Sequence, residues 1–493
     1  MKNLTRRNFL KTTALSAAAF SLPASSWAQV KGANETIRIG VVGFRSRGSD
    51  HIKGYQTIPN VRIAALCDVD KKVLDNGIET LGKKGPKPEG YTDIRKLLEN
   101  KSIDAISIAT PNHWHALATI WACQAGKDVY VEKPVSNTVW EGRKAVEAAA
   151  KYKRIVQAGT QSRSSVNGIG AAVKWVHEGN LGKIQIVRGL CYKPRASIGK
   201  TTGAQTVPAT IDYDLWCGPA PLDAPRRNGK FGPVHYDWHW FWAYGCGDLG
   251  NQGIHQMDIS RWFLGQNELA SRVWSVGGRL GYDDDGETPN TQIVYQDYDK
   301  APLIFEVRGL PEKTGGKNMD KFPSTEKDRG GSVCVVVHCE GGYVLVPNYK
   351  SAIAIDKDSK EIKRWNDGGD NEHYANFIEA LRAGKPELLH GPILEGHLSS
   401  ALCHTGNISY RLGAQKSPGE VKEAIQDNKG LAESFGRMAE HLAANNVDIT
   451  KDKITLGVPL KMNPKTERFS DNEKANDMLT RHYRAPFIVP EKV

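Results

Sequence analysis

The sequence predicts an α/β protein of two units: an N-terminal parallel sheet covered by helices, and a C-terminal α+β unit with a large, mostly antiparallel, open-faced sheet. Three observations predict this fold. At 493 residues the chain is too long for one ordinary domain. Continuous apolar runs alternate with helix-like segments over residues 36–158. From 159 to 412, apolar and polar residues alternate in short runs, which is typical of strands with one exposed face.

The first unit contains apolar runs that are short enough to be strands and continuous enough to be buried on both faces. Thr138 and Glu141 have the spacing of a capping box at the start of the last helix-like segment. Strands that alternate with helices predict a parallel sheet. The predicted strands are 37–42, 61–67, 105–109, 129–131 and 155–158, and the predicted helices are 94–100, 116–125 and 139–152.

The turn after the first run carries a glycine pattern. A dinucleotide fold places glycines here so that backbone N–H groups and a helix N-terminus can meet a pyrophosphate. Gly43 and Gly48 match the first and third glycines, with Ser46 and Arg47 between them. Arg45 occupies the second position, where a missing side chain normally allows close approach, so its side chain either points outward or lies beside a phosphate. The pattern predicts a Rossmann-like nucleotide site with an incomplete glycine motif.

Asp68 ends the second run, 20 residues after Gly48. At this distance an acidic side chain binds the ribose hydroxyls of the adenosine half in dinucleotide folds. A carboxylate there repels a 2′-phosphate, which favours NAD over NADP. The alternative is a strand-end aspartate that caps the next turn.

Polar residues follow two later strands, at the sheet edge where ligands bind in open α/β folds. Thr110, Asn112 and His115 follow one strand, and Glu132 and Lys133 follow the other. The proline after Lys133 disfavours a helical conformation at the lysine and holds it at this edge. We expect the lysine to lie beside a nicotinamide.

Four segments together resemble the glucose–fructose oxidoreductase / inositol dehydrogenase (Gfo/Idh/MocA) family: 40–48, 67–70, 110–115 and 126–134. The resemblance covers residues 36–160 and continues more weakly to about 412. It implies an NAD cofactor, a carbohydrate substrate and a second domain whose sheet forms homodimer or homotetramer interfaces. The predicted cofactor-binding residues are Gly43, Arg45, Ser46, Arg47, Gly48, Asp68, Thr110, Asn112, His115, Glu132, Lys133 and Gln161.

The second unit, 159–412, is predicted to hold the substrate and the oligomer interface. Its alternating runs predict half-buried strands, and Gly341-Gly342 predicts a hairpin between two of them. Residues 413–493 are predicted to be an extension that packs on the surface. The predicted strands are 273–276, 292–295, 303–307, 333–338, 343–346 and 352–355.

A glycine-rich stretch that ends at His255 resembles the catalytic segment of the family, in which an acid precedes the histidine by four residues. The resemblance implies that His255 is the general acid/base and that Lys133 stabilises the developing alkoxide and shares the proton. Position 251 is Asn here, which cannot titrate. Asn251 and Asp258 are therefore possible orienting residues, with Asp248 as a further candidate. Asp258 could instead pair with Arg261.

Aromatic residues alternate with His and Asp over 235–242, a composition that favours a carbohydrate site because rings cover the apolar faces of sugars. The alternative is an aromatic core. The predicted substrate-binding residues are Arg163, Tyr192, Lys193, His239 and His255.

The first 28 residues have the pattern of a twin-arginine signal peptide: Arg6-Arg7, an apolar stretch and a small-x-small site that ends at Ala28. This route exports folded proteins to the periplasm, which has no pool of nicotinamide nucleotide. We therefore expect interaction with the twin-arginine export machinery, a periplasmic location and a tightly bound NAD.

Composition argues against several other classes. The formal net charge is +11, but the basic residues are scattered, so nucleic-acid binding is not expected. No apolar run reaches the ~18 residues that a membrane span needs, so stable membrane insertion is not expected. The eight cysteines have no Cys-x-x-Cys or Cys/His spacing, so no metal site is predicted.

The leading hypothesis is an NAD-dependent oxidoreductase that moves a hydride between a carbinol of a sugar, glycoside or polyol, such as C3 of a glycoside, and bound NAD. The first alternative is a redox-neutral, NAD-dependent glycoside hydrolase or lyase. The second is a non-catalytic sugar-binding protein, against which the presence of both Lys133 and His255 argues.

Overall fold

A computed structural model describes residues 36–227, 232–322 and 330–493. The predicted twin-arginine signal, residues 1–28, lies outside the described residues. Two sheets organise the described chain, one of six strands and one of twelve.

The first sheet is parallel throughout, with the strand order β3-β2-β1-β4-β5-β6. The order reverses between β1 and β4, and this switch point is where ligands bind in doubly wound folds. The predicted runs 37–42 and 61–67 coincide with β1 and β2. Its strands are β1 (Ile37–Val42), β2 (Val61–Cys67), β3 (Glu89–Tyr91), β4 (Ala105–Ile108), β5 (Asp128–Val131) and β6 (Val156–Ala158).

Helices cover both faces of this sheet, as the alternation of runs predicts. The capping box at Thr138 and Glu141 forms as expected. The helix predicted over 116–125 begins earlier, at Asn112 after Pro111, so the predicted site segment 110–115 contains the first turn of this helix. The helices are α1 (Arg47–Gln56), α2 (Lys71–Gly82), α3 (Ile94–Glu99), α4 (Asn112–Gln124) and α5 (Val139–Lys151).

The second sheet has the order β14-β13-β12-β11-β7-β10-β9-β8-β16-β15, and β17 and β18 join it beside β8. Among the described residues every pairing is antiparallel except β7 with β10. Its strands are β7 (Ile184–Tyr192), β8 (Arg272–Gly278), β9 (Thr291–Asp297), β10 (Leu303–Arg308), β11 (Val333–Cys339), β12 (Gly342–Val346), β13 (Ser351–Asp356), β14 (Glu361–Asn366), β15 (Ala414–Lys416), β16 (Ile454–Leu456), β17 (Leu460–Asn463) and β18 (Arg468–Phe469).

The helices of this second part lie between the two sheets or on the outer face. The hairpin predicted at Gly341-Gly342 joins β11 to β12. The helices are α6 (Ala171–His177), α7 (Tyr213–Cys217), α8 (Gly247–Asn251), α9 (Gly253–Leu264), α10 (Asp370–Ala383), α11 (Ile393–Arg411), α12 (Pro418–Ile425), α13 (Lys429–Ala444) and α14 (Glu473–Asp477).

The segment 413–493 is more than a surface extension, and the second sheet is not open over its whole face. Helix α13 has apolar residues at Leu431, Phe435, Met438 and Leu442, a stripe with helical spacing that packs on β8, β9 and β10. The tail also buries Phe487 in the core of the first unit. The apolar stripe of α13 is therefore buried against part of the second sheet.

No helix in the described ranges is both long enough and apolar enough to cross a bilayer. All eight cysteines lie within these ranges, where they are buried and unpaired. The same ranges hold no group of His, Cys, Asp or Glu side chains arranged to bind a metal ion.

Candidate active site

A cavity of about 630 Å³ lies between the carboxyl edge of the parallel sheet and the second unit. Its floor is formed by the turns after β1, β2, β4 and β5. Its roof comes from the segment between β7 and α8, from α8 and α9, and from Tyr349 in the hairpin that joins β12 and β13. The volume is typical of a site for a small molecule or cofactor.

The glycine turn at 43–48 is close-packed, which explains two of its glycines. Gly43 has φ +73°, a conformation that side chains disfavour. A Cβ on Gly48 would lie 2.1 Å from the carbonyl oxygen of Gly43. Helix α1 therefore begins directly against the turn, and Ser46 and Arg47 at its start line the cavity. Arg45 is exposed on the cavity wall between Asp68 and His235.

Asp68 lies at the end of β2 and is held by two backbone donors. The N–H of Phe44 donates to Oδ2 (3.2 Å) and the N–H of Asp70 donates to Oδ1 (3.0 Å). Burial raises the pKa of Asp68 to about 6 against these hydrogen bonds. The carboxylate is thus ionised at neutral pH, where it can accept hydrogen bonds from ribose hydroxyls and repel a 2′-phosphate.

Glu132 contacts two other predicted cofactor-binding residues, Arg47 and Gln161, and also His51. Its Oε1 accepts from Arg47 Nε (2.9 Å) and Gln161 Nε2 (3.1 Å) and lies 3.1 Å from His51 Nε2. Burial acts to raise the pKa of Glu132, but the charge of Arg47 and the His51 contact hold it well below its usual range. Glu132 therefore orients Arg47 and Gln161 at the cavity wall.

Thr110 and Asn112 supply unsatisfied polar atoms. Thr110 Oγ1 and Asn112 Oδ1 are buried, line the cavity and have no hydrogen-bond partner among the described residues. Both atoms are therefore available to hydrogen-bond with a molecule in the cavity. His115 closes the turn behind them, with its ring nitrogens 2.6 Å from Pro134 O and 2.8 Å from Thr110 O.

Lys133 and His255 face the same end of the cavity. Lys133 Nζ donates to the backbone oxygen of Asn251 (2.8 Å). Burial lowers the pKa of Lys133, and the charges of Lys193 and Arg195 act in the same direction against that of Glu132. The ammonium can therefore give up a proton more readily than a solvated lysine.

The His255 ring makes no hydrogen bond to a described residue and packs 4.8 Å, centroid to centroid, from Tyr349. Burial, reinforced by the charge of Lys133, lowers the pKa of His255 to about 3. The imidazole is therefore neutral at physiological pH and available as a proton acceptor.

The three predicted orienting residues do not hydrogen-bond to the His255 ring. Asn251 holds Lys133 through its backbone oxygen instead. Asp258 is 1% exposed and accepts from Arg163 Nη2 (2.9 Å) and from Ser399 Oγ (2.7 Å). Asp248 accepts from Arg195 Nε (2.9 Å). Each carboxylate is paired with a partly buried arginine, which leaves neither to orient the imidazole.

Two of the predicted substrate-binding residues reach the cavity, in addition to His255, and two do not. Lys193 lines it and donates to Gln252 Oε1 (3.1 Å), and His239 lines it with its ring stacked 3.7 Å from that of Trp238. Arg163 is instead held by its ion pair with Asp258, away from the cavity wall.

Tyr192 likewise lies away from the cavity wall. Its hydroxyl donates to Glu306 of the neighbouring strand β10 (2.7 Å). Side chains alternate across a strand, and the sequence did not reveal which face of β7 turns inward.

Tyr349, Gln252 and Arg195 also line the cavity and were not predicted. Tyr349 lies 94 residues from His255 in the chain, in a hairpin that carries no local motif. The aromatic run 235–242 contributes both to the cavity and to the core. Trp238 lines the cavity, whereas Trp240 is buried with the Arg195 guanidinium over its ring.

Comparison with known proteins agrees with this architecture. The Gfo/Idh/MocA model described as "Oxidoreductase family, NAD-binding Rossmann fold" matches residues 37–160. The model described as "Oxidoreductase family, C-terminal alpha/beta domain" matches residues 172–310. Together the two matches span more than half of the chain.

The curated relatives match over a smaller part. A "Glycosyl hydrolase family 109 protein" of Shewanella pealeana is 36% identical over 173 residues, 31% of this chain and 38% of the relative. An "Alpha-N-acetylgalactosaminidase" of Shewanella oneidensis is 33% identical over 177 residues, 31% of this chain and 39% of the relative. The matched region thus spans less than half the length of these relatives.

Among solved structures, the WlbA dehydrogenase of Bordetella pertussis in complex with NADH and UDP-GlcNAcA aligns with a TM-score of 0.54 and 20% identity. The alignment covers 75% of this chain and 94% of that one. At this identity the likeness concerns the fold. With its NAD-binding Rossmann domain and the C-terminal domain that follows it, the chain belongs to the Gfo/Idh/MocA family of oxidoreductases.

Proposed function

We propose that this protein oxidises a carbinol of a sugar, glycoside or polyol with a tightly held NAD. The observation that carries the proposal is the placement of Lys133 and His255 at one end of a cavity whose other end is the nucleotide turn. The fold of the enzyme, its NAD-binding domain and its carbohydrate-related relatives support this assignment.

The residues of the cavity fit NAD. The glycine turn and the start of α1 would hold the pyrophosphate, and Asp68 the adenosine ribose. Thr110 and Asn112, with their unsatisfied atoms, would meet polar groups of the nicotinamide half. When bound, NAD supplies the hydride acceptor.

His255 and Lys133 would handle the transfer of the proton from the reacting hydroxyl. Neutral His255 accepts the proton of the reacting hydroxyl, because its imidazole is uncharged at neutral pH. The Lys133 ammonium, held by the backbone oxygen of Asn251, donates a hydrogen bond to the oxygen on which negative charge develops. The backbone oxygen of Asn251 also holds Lys133 Nζ at the cavity wall.

A second candidate function is redox-neutral cleavage of a glycoside, which the names of the two Shewanella relatives favour. Oxidation at C3 makes the neighbouring C2–H bond acidic, so a basic residue can remove that proton. The electron pair then expels the aglycone from C1. Water adds to C1 as the proton returns to C2, and the C3 ketone is reduced again.

One set of measurements separates these functions. Mass spectrometry of nucleotide released by denaturation tests for retained NAD. A panel of sugars and glycosides is then mixed with the protein while absorbance at 340 nm and the released aglycone are followed. Reduced nucleotide without aglycone supports net oxidation, and aglycone without net reduction supports the redox-neutral cycle. Neither signal with any member of the panel would contradict both.

We also propose that the protein is exported folded by the twin-arginine route to the periplasm and works there as a homodimer or homotetramer. The Arg6-Arg7 pattern supports export, and the resemblance to the family supports assembly. Cell fractionation of the parent and of an Arg6→Lys, Arg7→Lys variant tests the first part. Native mass spectrometry tests the second, and a monomer would contradict it.

A further inference from the structure

A short segment of the second unit crosses the cavity and is bonded to the nucleotide domain on both sides. We call residues 208–217 the clasp. They lie outside the region matched by the NAD-binding model, residues 37–160. Ile211, Leu215 and Trp216 of the clasp nevertheless line the same cavity as Asp68.

On one side the clasp joins the loop that follows β2. The N–H of Lys71 donates to the backbone oxygen of Thr210 (2.8 Å), and the N–H of Asp212 donates to that of Val69 (3.0 Å). Asp70 and Ile211 pair as in an antiparallel sheet. These bonds begin one residue beyond Asp68, the residue placed at the adenosine ribose.

On the other side the clasp joins the first turn of α4, after β4. The indole N–H of Trp114 lies within hydrogen-bond distance of the backbone oxygens of Leu215 (3.0 Å) and Trp216 (3.1 Å). His113 Nε2 lies 2.9 Å from Trp216 O. In the sheet, β1 lies between β2 and β4. The clasp is bonded to the loop after β2 and to the helix after β4, so it passes over the end of β1. The glycine turn follows β1, so the clasp passes over the nucleotide turn.

Aromatic and cation–π contacts support the clasp from within the second unit. Tyr213 and Trp216 stack with their rings 5.5 Å apart and nearly parallel, and Arg227 packs over Trp216. The C-terminal tail holds the clasp from outside: Arg484 donates to the backbone oxygen of Asp214 (2.7 Å) and to that of Gly218 (3.2 Å), just beyond the clasp.

We infer that the clasp is a wall of the NAD site and that it retains the cofactor at its adenosine end. The inference rests on the proposed function, which requires an NAD that stays bound between turnovers. Adenosine that lies between the sheet edge and Ile211, Leu215 and Trp216 can leave only when the backbone bonds of the clasp break. The tail residue Arg484, far from the catalytic end in sequence and function, then governs how long NAD stays.

The test is the rate at which the holoenzyme loses NAD. Protein loaded with radiolabelled NAD is chased with unlabelled NAD, and the label that remains is followed by rapid filtration. We expect the Arg484→Gln variant to lose label about tenfold faster than the parent, because several hydrogen bonds that hold the clasp are gone. The control is Arg468→Gln, since Arg468 is an exposed arginine whose ion-pair partner is the exposed Glu473. It should match the parent.

A second variant guards against loss of folding. Trp114→Phe keeps an aromatic ring but removes the N–H that holds the clasp, and it should also speed the loss of label. If both variants retain label as long as the parent, or if the parent itself exchanges within the mixing time, the clasp does not retain NAD. Sugar turnover with added NAD is measured separately. Variants that keep the label as long as a parent that retains NAD and turns sugar over overturn this inference alone. Retained label without turnover of any sugar overturns the proposed oxidation alone.

Discussion

The two ends of the cavity are built in different ways. The nucleotide end relies on backbone groups and on close packing at glycines, in a turn of six consecutive residues, 43–48. The other end, where Lys133 and His255 lie, is the proposed catalytic end. Its side chains come from the segments after β5 and β7, from α8 and α9, and from the hairpin between β12 and β13. A turn defined by backbone shape is visible in sequence, whereas a group of side chains from separate strands is not.

Electrostatics differ in the same way. At the nucleotide end, each carboxylate oxygen of Asp68 accepts one hydrogen bond from a backbone N–H group, and the carboxylate stays ionised at neutral pH. At the catalytic end, burial and neighbouring positive charges shift Lys133 and His255 toward their neutral forms. One end is suited to holding hydroxyls in place, and the other to moving a proton. Changes at the two ends should therefore separate binding from chemistry.

The largest effect is expected at Lys133. Replacing Lys133 by Ala removes the cation that faces the developing oxyanion, and we expect turnover of the best sugar to fall about 10³- to 10⁴-fold. The nucleotide content of the purified protein should stay near that of the parent. Lys133→Arg serves as the control that keeps the charge. A Lys133→Ala protein with parental turnover would contradict the mechanism.

The converse change is made at the nucleotide turn. Gly48→Ala places a Cβ 2.1 Å from Gly43 O, so the turn and the start of α1 must separate. We expect NAD affinity, measured by calorimetry on nucleotide-free protein, to fall at least about 100-fold, the loss expected from a few kcal/mol of strain. Gly85→Ala is the matched control, because a Cβ there meets no atom within 4 Å. Equal affinities in both variants would refute the close-packing argument.

A smaller effect is expected at His255. The His255→Asn variant should lower kcat about 100-fold, since a general base is lost, with little change in NAD content. Because the pKa of His255 is lowered to about 3, the parental imidazole remains neutral as the pH falls. We therefore expect NMR of labelled histidine to show no titration of His255 between pH 8 and pH 5. A midpoint near pH 6.5 would show that the ring is solvated.

The smallest effect concerns the choice of nucleotide. Asp68→Asn removes the charge that repels a 2′-phosphate, and we expect the preference for NAD over NADP to fall about tenfold. In the parent, the pKa of Asp68 is raised to about 6, so the carboxylate is ionised above that pH and is neutralised as the pH falls through it. The parental preference should therefore decline from pH 7.5 to pH 5, whereas that of the variant should be flat. A flat parental profile would contradict the assigned role.

Prediction from sequence succeeded where a structure depends on neighbours in the chain. The predicted strands over 37–42 and 61–67 and the capping box at Thr138 are found as expected. Prediction from sequence did not give the contacts of Tyr192, which bonds to Glu306, or of Arg163 and Asp258, which form an ion pair. These contacts depend on which face of a strand or helix meets another element. Tyr349 was missed for the same reason.

By itself, the sequence determined the parallel nucleotide-binding sheet and its glycine turn, because each depends on short-range pattern or spacing. The resemblance to the family supplied the candidate roles of Lys133 and His255. Only the tertiary structure decided that Asp248 and Asp258 are neutralised by arginines. It also decided that α13 packs on β8, β9 and β10 and that the clasp joins the loop after β2 to the first turn of α4. Those contacts join residues that are far apart in the chain, and they form only when packing brings the two units together.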